Sequence, residues 1–210
     1  MTGLFIVVEG PEGAGKSTLA RALATRLAAD GRAVVTVREP GGTPVAEAAR
    51  KVALRFPHAM APAAELFLFL AARADLVDRV IRPALEAGQV VVADRFDLST
   101  LAYQVAGGGL PAEETIQAIR LATGGLVPDV TLVLDVPVAV GRGRQRAARK
   151  VQDRFERQDD AFHRRVLGAY RSAQGPGVVH LDATQSKQAV QEAAWREVRA
   201  LTAPSLRGIS

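Results

Sequence analysis

The chain has 210 residues, 48% of them hydrophobic, and a formal net charge of +5, which is enough apolar material for one domain with a full core. It contains no cysteine, which excludes disulfides, thiolate metal sites and cysteine nucleophiles. The positive charge favours anionic ligands but does not separate small phosphates from nucleic acid or a membrane surface. The apolar stretch at residues 66–72 is too short to span a bilayer, and no basic leader precedes the first apolar run, so we expect a cytoplasmic protein without a membrane partner.

Short apolar runs alternate with helical patterns along the chain. The runs do not alternate in polarity, so both of their faces should be buried, as in a parallel sheet with helices on both faces. The sequence therefore predicts an α/β fold with a five-stranded parallel sheet. The predicted strands cover residues 4–8, 33–37, 90–93, 130–134 and 178–181.

Charged residues follow all five predicted strands. For a single strand a helix cap explains such a residue equally well, but five strands that end alike favour a shared polar crevice. The carboxyl ends of parallel strands meet at one edge of the sheet, where such folds bind ligands. The residues are Glu9, Arg38 with Glu39, Asp94 with Arg95, Asp135 and Asp182.

Residues 10–17 read GPEGAGKS, which fits the phosphate-binding pattern GxxxxGK[ST]. The pattern lies between the first predicted strand and a helix whose inward stripe begins with Leu19 and Leu23. Glycines let backbone N–H groups turn towards phosphate oxygens, and the helix N-terminus adds partial positive charge. We therefore expect a bound polyphosphate, with Lys16 on its outer phosphates and Ser17 on Mg²⁺. A plain glycine turn is the alternative.

An arginine interrupts the apolar stripe of the helix that begins near Pro62. The stripe includes Leu66, Phe69 and Leu70, and Arg73 falls within it. Burial of an unpaired guanidinium is costly, so Arg73 must meet either an acidic partner or a ligand. In the first case Arg73 forms a core ion pair and Phe69 fills space. In the second, the two form a receptor for a flat base with carbonyl acceptors.

Three further segments carry charges suited to phosphate chemistry. Arg38 begins the segment REPGG and could grip a second phosphate group through two hydrogen bonds. Asp94 and Arg95 end a buried strand, where they would serve a Mg²⁺ shell and the transferring phosphate, or else form only an ion pair. Residues 142–154 contain five arginines, which is typical of a solvated helix face or a nucleic-acid patch. Over an ATP site they would instead form a lid that neutralises charge.

Taken in chain order, several motifs resemble the thymidylate kinase family. They are GPEGAGKS, REPGG, FLAAR at residues 69–73, DRFDLST at residues 94–100 with Tyr103-Gln104, and PDVTLVLDV at residues 128–136. The resemblance covers nearly the whole chain, and REPGG and the DR block are specific to this branch of the nucleoside monophosphate kinases. It implies a P-loop kinase fold and transfer of the γ-phosphoryl group of Mg-ATP to dTMP, giving dTDP and ADP.

The resemblance also implies an oligomeric state and a domain organisation. Members of the family are typically homodimers packed through helices near residues 62–85. We expect a single kinase domain over residues 1–202 with a lid around residues 142–154 that carries basic catalytic residues, and a flexible tail at residues 203–210. The implied partners are small nucleotides and not nucleic acid.

The resemblance also implies binding and catalytic roles for individual residues of the chain. ATP would contact Gly10, Pro11, Glu12, Gly13, Ala14, Gly15, Lys16, Ser17, Thr18, Arg142, Asp182, Ala183 and Thr184. The acceptor dTMP would contact Glu12, Arg38, Pro40, Phe69, Arg73, Arg95, Ser99, Thr100, Tyr103 and Gln104. The catalytic set would be Lys16, Glu12, Asp94, Arg95, Arg144, Arg146 and Arg149. The ligands of Mg²⁺ would be Ser17 and Asp94.

Two positions depart from the family pattern. Some members place an arginine where this chain has Gly13, so the missing charge should come from the lid. The ring after Asp94 and Arg95 is commonly tyrosine or histidine, whereas the Phe96 ring has no polar group with which to make that contact.

Two other functional classes stay open. A P-loop kinase for another small acceptor would not need Phe69 with Arg73. A nucleotide sensor or nucleic-acid-binding protein would use the basic segment for phosphodiesters, and its binding would weaken steeply with salt.

Overall fold

Five parallel strands form one sheet in the computed structural model, which describes residues 3–147 and 153–202. The strands lie in the order β2-β3-β1-β4-β5, and each neighbouring pair is parallel. The predicted five-stranded parallel sheet is therefore confirmed. The strands are β1 (Leu4–Glu9), β2 (Val34–Arg38), β3 (Val90–Asp94), β4 (Val130–Asp135) and β5 (Val178–Asp182).

Each strand ends one residue later than the sequence pattern predicted. The charged residue expected directly after each strand is its last residue, because ladder pairing continues through it. Arg38 lies opposite Asp94, and Asp135 lies opposite Asp182. The boundaries were wrong by one residue because a strand ends where its hydrogen bonding ends and not where its polarity changes.

Helices connect the strands and cover the sheet. The helices of the described ranges are α1 (Lys16–Ala29), α2 (Pro44–Arg55), α3 (Pro62–Leu76), α4 (Arg82–Glu86), α5 (Asp97–Thr100), α6 (Ala112–Thr123), α7 (Val138–Ala147), α8 (Asp160–Arg171) and α9 (Lys187–Thr202). Two π-helical segments join them, Val77–Ile81 before α4 and Leu101–Gly107 after α5. The first lies just before Pro83, which lacks the N–H that a regular helix would use. Within residues 3–147 and 153–202, no helix has the length and apolar character needed to cross a membrane.

Both faces of the sheet are buried. On one face, Ile6 and Val8 of β1 pack with residues of α1 and α9. On the other face, Phe5 and Val7 pack with residues that run from the end of α3 to α4, among them Ile81. Neighbouring residues of a strand point to opposite faces of the sheet. Because helices cover both faces, apolar residues are needed on both sides of a strand, which explains the unbroken apolar runs. The prediction of helices on both faces is confirmed.

Candidate active site

A cavity of about 770 Å³ opens at the carboxyl edge of the sheet. Many residues of the predicted site line it, namely Glu12, Gly13, Gly15, Lys16, Ser17, Thr18, Arg38, Pro40, Phe69, Arg73, Asp94, Arg95, Ser99, Thr100, Tyr103, Gln104, Arg144 and Arg146. The structure thus brings one continuous set together from segments more than a hundred residues apart. Further lining residues had no separate signal in the sequence; they are Arg21, Arg50, Leu54, Gln145, Asp153, Phe155 and Glu156.

The five strand-end charges share one edge but do not share this cavity. Arg38 and Asp94 line it, whereas Glu9 is fully buried. Asp135 pairs with a histidine of β5, and Asp182 accepts a hydrogen bond from the backbone N–H two residues later. A crevice common to all five is therefore wrong, because Glu9, Asp135 and Asp182 are not among the residues that line the cavity.

The phosphate loop ends at the N-terminus of α1. Gly15 has a φ of 100° directly before the helix, a conformation that glycine adopts without strain. Among the described residues, no side chain caps this terminus, and no acid lies in its first turn. The N–H groups of Lys16 and Ser17 and the positive end of α1 are thus available to an anion in the cavity, which both residues line.

Lys16 is the buried cation of this loop. The residue is 7% exposed, and its Nζ donates to the Pro11 carbonyl oxygen at 2.8 Å. Burial, followed by the positive charge of Arg95, lowers the pKa of Lys16 to about 8. A polyphosphate would place further negative charge beside the buried ammonium and so favour its charged form.

Ser17 and Asp94 place two oxygen ligands side by side. The Ser17 hydroxyl donates to the Asp94 carboxylate, which joins α1 to the end of β3. Mg²⁺ prefers oxygen ligands and is usually held by one or two protein groups together with waters and phosphate oxygens. A hydroxyl and a carboxylate beside a phosphate loop fit that requirement.

Arg95 is anchored by several hydrogen bonds next to the phosphate loop. Its φ is 77°, an unusual value for a residue with a side chain. One terminal nitrogen donates to Ser99 Oγ and to the Tyr170 hydroxyl, each at 2.9 Å. The other contacts the Glu12 carboxylate and donates to the Tyr103 hydroxyl at 3.1 Å. The guanidinium therefore holds a fixed position in the cavity wall.

Glu9 and Tyr170 are fully buried residues that hold the contacts of Arg95 in place. Glu9 Oε1 accepts from the backbone N–H groups of Phe96 and Ser99, at 2.8 and 3.0 Å. Its Oε2 accepts from the Ser99 hydroxyl at 2.6 Å and from the Tyr170 hydroxyl at 3.1 Å. Burial raises the pKa of Glu9, against the lowering effect of Arg95. The end of β1 marked Glu9 in the sequence, but nothing near Tyr170 in α8 indicated this contact.

Arg73 forms the buried ion pair that the sequence left as one of two alternatives. It is 2% exposed, and its Nε donates to Glu39 Oε2 at 2.7 Å. Its other nitrogens donate to Thr100 Oγ1 and to the Phe96 carbonyl oxygen. Arg73 also lines the cavity. The ion pair therefore does not exclude a ligand contact, because a guanidinium carries five N–H groups.

An aromatic wall lies beside Arg73. The Phe69 ring is 5.8 Å from the Phe155 ring, and Phe155 in turn meets the Tyr103 ring edge-on at 5.5 Å. Phe69 is only partly buried and lines the cavity. Phe155 follows the lid in sequence, so its place opposite α3 appears only in the fold. The wall suits a flat ring.

Arg38 and Arg50 form a basic rim after β2. Arg38 is more than half exposed and pairs with Glu47 at 3.2 Å. Arg50 donates to the Pro40 carbonyl oxygen at 2.7 Å. Burial and the charge of Arg38 lower the pKa of Arg50. The rim thus adds a second basic residue to the arginine that the sequence indicated.

The sequence comparisons agree with this geometry. A family profile described as thymidylate kinase matches residues 8–194. The thymidylate kinase of Pseudomonas putida (strain GB-1) is 50% identical over 195 residues, which cover 91% of this chain and 92% of that protein. The thymidylate kinase of Thermomicrobium roseum is 46% identical over 197 residues, with 92% and 93% covered. That of Deinococcus radiodurans is 45% identical over 200 residues, with 93% and 96% covered.

The chain belongs to the thymidylate kinase family. Its P-loop kinase fold, inferred from the resemblance, is confirmed by this membership together with the parallel sheet.

The two departures from the thymidylate kinase pattern have structural explanations. Gly13 has a φ of 74°, and a Cβ built there would overlap the backbone of Gly141 in α7. Phe96 is fully buried, with its ring 5.0 Å from Phe5 and 5.2 Å from the guanidinium carbon of Arg73. Gly13 therefore lets the phosphate loop contact α7, the helix that carries Arg144 and Arg146, and Phe96 fills space in the core.

The predicted lid arginines of this thymidylate kinase family member take different positions. Arg144 donates to the Ala183 carbonyl oxygen at 2.9 Å, and both Arg144 and Arg146 line the cavity. Arg142 pairs with Asp160 of α8 and is not among the lining residues. Arg149 lies outside the described residues.

The predicted adenine loop follows β5. Asp182 accepts from the backbone N–H and the hydroxyl of Thr184, at 2.9 and 2.6 Å. Ala183 touches the lid through Arg144. A role of this turn in ATP binding stays a prediction, as it does for Arg142.

Proposed function

We propose that this member of the thymidylate kinase family transfers the γ-phosphoryl group of ATP to dTMP, giving dTDP and ADP. The observation that carries the proposal is one cavity with two unlike ends. Lys16 and the phosphate loop line one end, and Phe69 with Arg73 lines the other. A polyphosphate and a flat base attached to a phosphate would meet between them.

The acceptor requires no general base in this reaction. The second pKa of a phosphate monoester is about 6, so its oxygens are already largely ionised near neutral pH. The remaining tasks are to place two anions in line and to neutralise their charge. Buried, anchored cations such as Lys16 and Arg95 are suited to both tasks.

On the donor side, we assign the triphosphate to the N-terminus of α1 and to Lys16. Ser17 and Asp94 would hold Mg²⁺, which neutralises phosphate charge when it is bound. Arg144 and Arg146 of α7, with Arg149, would close over the phosphates as a lid. We take residues 1–202 as one kinase domain, with residues 203–210 as its tail.

On the acceptor side, we assign the phosphate of dTMP to Arg95 and Arg38. Phe69 would stack on thymine, and Arg73 would donate to a base carbonyl. Tyr103 and Glu12 contact Arg95 and would line the deoxyribose, where a 2′-hydroxyl would find no space. A cytoplasmic location stays a prediction.

The direct test is ADP production with Mg-ATP and one acceptor at a time. The acceptors are dTMP, dUMP, dCMP, dGMP, the ribonucleotide of thymine and none. We expect turnover with dTMP and weaker turnover with dUMP, since one methyl group is worth roughly ten- to two-hundredfold. Turnover with only another acceptor would favour a different P-loop kinase. If no acceptor gives turnover and the protein instead binds nucleic acid with an affinity that falls steeply with salt, the nucleic-acid-binding class is favoured.

The kcat/KM for ATP should fall at alkaline pH. The pKa of Lys16 is lowered to about 8 in the free protein, so above pH 8 a proton must be taken up before the ammonium meets phosphate. We expect kcat/KM for ATP to fall about tenfold per pH unit there, while kcat changes less because bound phosphate raises the pKa. Calorimetry of ATP binding in buffers of different ionisation enthalpy should record proton uptake at pH 8.5. A flat profile up to pH 10 would contradict the assignment.

Removal of the Phe69 ring should weaken dTMP binding alone. Stacking of a base on an aromatic side chain contributes about 1–3 kcal/mol, so Phe69→Ala should raise KM for dTMP about tenfold or more. Steady-state kinetics with each substrate varied in turn measures this, and KM for ATP is the internal control. An unchanged KM for dTMP would return Phe69 to a packing role.

We also propose a homodimer, packed through α3, which belongs to the predicted contact near residues 62–85, and through α2. These helices contact each other and expose large apolar side chains, of which Phe67 is 62%, Val45 51% and Val52 41% exposed. Apolar side chains clustered on a surface mark contact sites between proteins. Phe67→Glu should halve the mass measured by sedimentation, whereas Leu201→Glu, an exposed position on α9, should not. A wild-type chain that sediments as a monomer at micromolar concentration would refute the dimer.

A further inference from the structure

Gln104 is held in one amide orientation by Glu65. Gln104 is 4% exposed, and its Nε2 donates to Glu65 Oε1 at 2.8 Å. A carboxylate accepts hydrogen bonds and donates none, so the amide nitrogen must face Glu65. Gln104 lines the cavity, and no donor among residues 3–147 and 153–202 reaches its amide oxygen. That oxygen is therefore the polar atom that Gln104 offers to a ligand.

The Glu65 carboxylate is itself fixed from its other side. Its Oε2 pairs with Arg154, whose guanidinium also lies 5.4 Å from the centre of the Phe155 ring. Glu65 is 7% exposed and is part of α3, the helix that also carries Phe69 and Arg73. Both carboxylate oxygens of Glu65 are thus occupied. The carboxylate is held in place, so its Oε1 keeps facing the Gln104 amide nitrogen.

Arg73 and Gln104 together present a donor and an acceptor to the same end of the cavity. A guanidinium can only donate, and the Gln104 amide oxygen can only accept. The edge of an oxo-imide pyrimidine such as thymine offers a carbonyl acceptor next to an N–H donor, which matches. Cytosine offers an amino donor next to a ring-nitrogen acceptor, which opposes both groups.

We propose that Glu65 is a positioning residue that fixes the Gln104 amide so that the cavity accepts oxo-imide pyrimidines and rejects aminopyrimidines. This inference rests on the proposed function, since it concerns the choice of acceptor in that reaction. Glu65 does not touch the substrate and acts only through Gln104. Thymine and uracil share the same imide edge, so Glu65 should not affect the choice between them.

The test compares kcat/KM for dTMP, dUMP and dCMP in the wild type and in Glu65→Gln. The new amide can donate as well as accept, so Gln104 is no longer confined to one orientation. We expect the preference for dTMP over dCMP to fall about tenfold or more, while the preference for dTMP over dUMP stays within twofold. A loss of stability or packing alone would lower all three values in proportion, and that result would overturn the proposal.

Two further variants separate the orientation of Gln104 from the ion pair with the lid. Arg154→Met removes the ion pair but leaves Glu65 facing Gln104, and it should keep the wild-type preference over dCMP. The exchange Glu65→Gln with Gln104→Glu restores one amide donor and one carboxylate, and leaves an acceptor facing the base. We expect this double variant to recover the preference for dTMP over dCMP, and it also provides the test if the single variant folds poorly.

The outcomes distinguish this inference from the proposed function. If the wild type does not phosphorylate dTMP, the proposed function fails. If the wild type phosphorylates dTMP and rejects dCMP but neither the Glu65→Gln variant nor the exchange alters that preference, only the role of Glu65 fails. Equal use of dTMP and dCMP by the wild type would also overturn the role of Glu65.

Discussion

Lys16→Met should lower kcat about 10³-fold, the size of effect seen when one anchored donor to a developing negative charge is removed. Methionine keeps the length and burial of the side chain but removes the ammonium that donates to the Pro11 carbonyl oxygen. Nothing else in the described cavity brings a buried lysine to the phosphate loop, because the other described lysines, Lys51 and Lys187, do not line it. Steady-state ADP production with saturating Mg-ATP and dTMP measures the loss.

Lys51→Met is the matched control for this variant. Lys51 is exposed on α2 and lies outside the cavity, so its loss should leave kcat within about twofold. Thermal unfolding should show that both variants remain folded. Normal turnover by a folded Lys16→Met protein would remove the phosphate-loop assignment.

Arg95→Met should lower kcat/KM for dTMP about 10²- to 10³-fold, in line with the loss of a positioned charge at a transferring phosphate. The substitution also leaves the Glu12 carboxylate without the guanidinium that it contacts. Without that positive charge, the Glu12 carboxylate repels an anionic acceptor more strongly. We therefore expect both a higher KM for dTMP and a lower kcat, with KM for ATP changed least.

Arg26→Met is the matched control for Arg95. Arg26 pairs with Glu192 and lies 4.4 Å from the centre of the Trp195 ring, outside the cavity. Its replacement should change kcat/KM by less than about twofold, because exposed ion pairs contribute little. If the Arg95→Met protein is folded and binds dTMP as tightly as the wild type, Arg95 does not hold the acceptor phosphate.

Local patterns predicted the architecture because it depends on local features. Each strand is an apolar run such as residues 4–8, and the helices that begin after the phosphate loop and near Pro62 carry stripes at helical spacing. The phosphate loop lies within eight consecutive residues, so its glycines, Lys16 and Ser17 could be located without any tertiary contact. The placement of Arg38 and Asp94 at one edge of the sheet followed from the rule that parallel strands end at the same edge.

Contacts between distant segments could not be predicted in this way. Glu39 and Arg73 are 34 residues apart, and Glu9 and Tyr170 are 161 apart. The sequence indicated that Arg73 needed a partner but not which one. Phe155 and Tyr170 occupy ordinary turn and helical positions, and their places beside Phe69 and Arg95 depend on how α8 and the turn before it pack in the folded chain.

The sequence by itself determined the fold class, the phosphate loop and most of the residues that line the cavity. The tertiary structure alone decided which groups are paired, which are buried and which face a ligand, as Glu65, Gln104 and Arg154 illustrate. The reason is physical. Periodicity and turn chemistry act over a few residues, whereas hydrogen-bond partners and desolvation are set by atoms that folding brings together from anywhere along the chain.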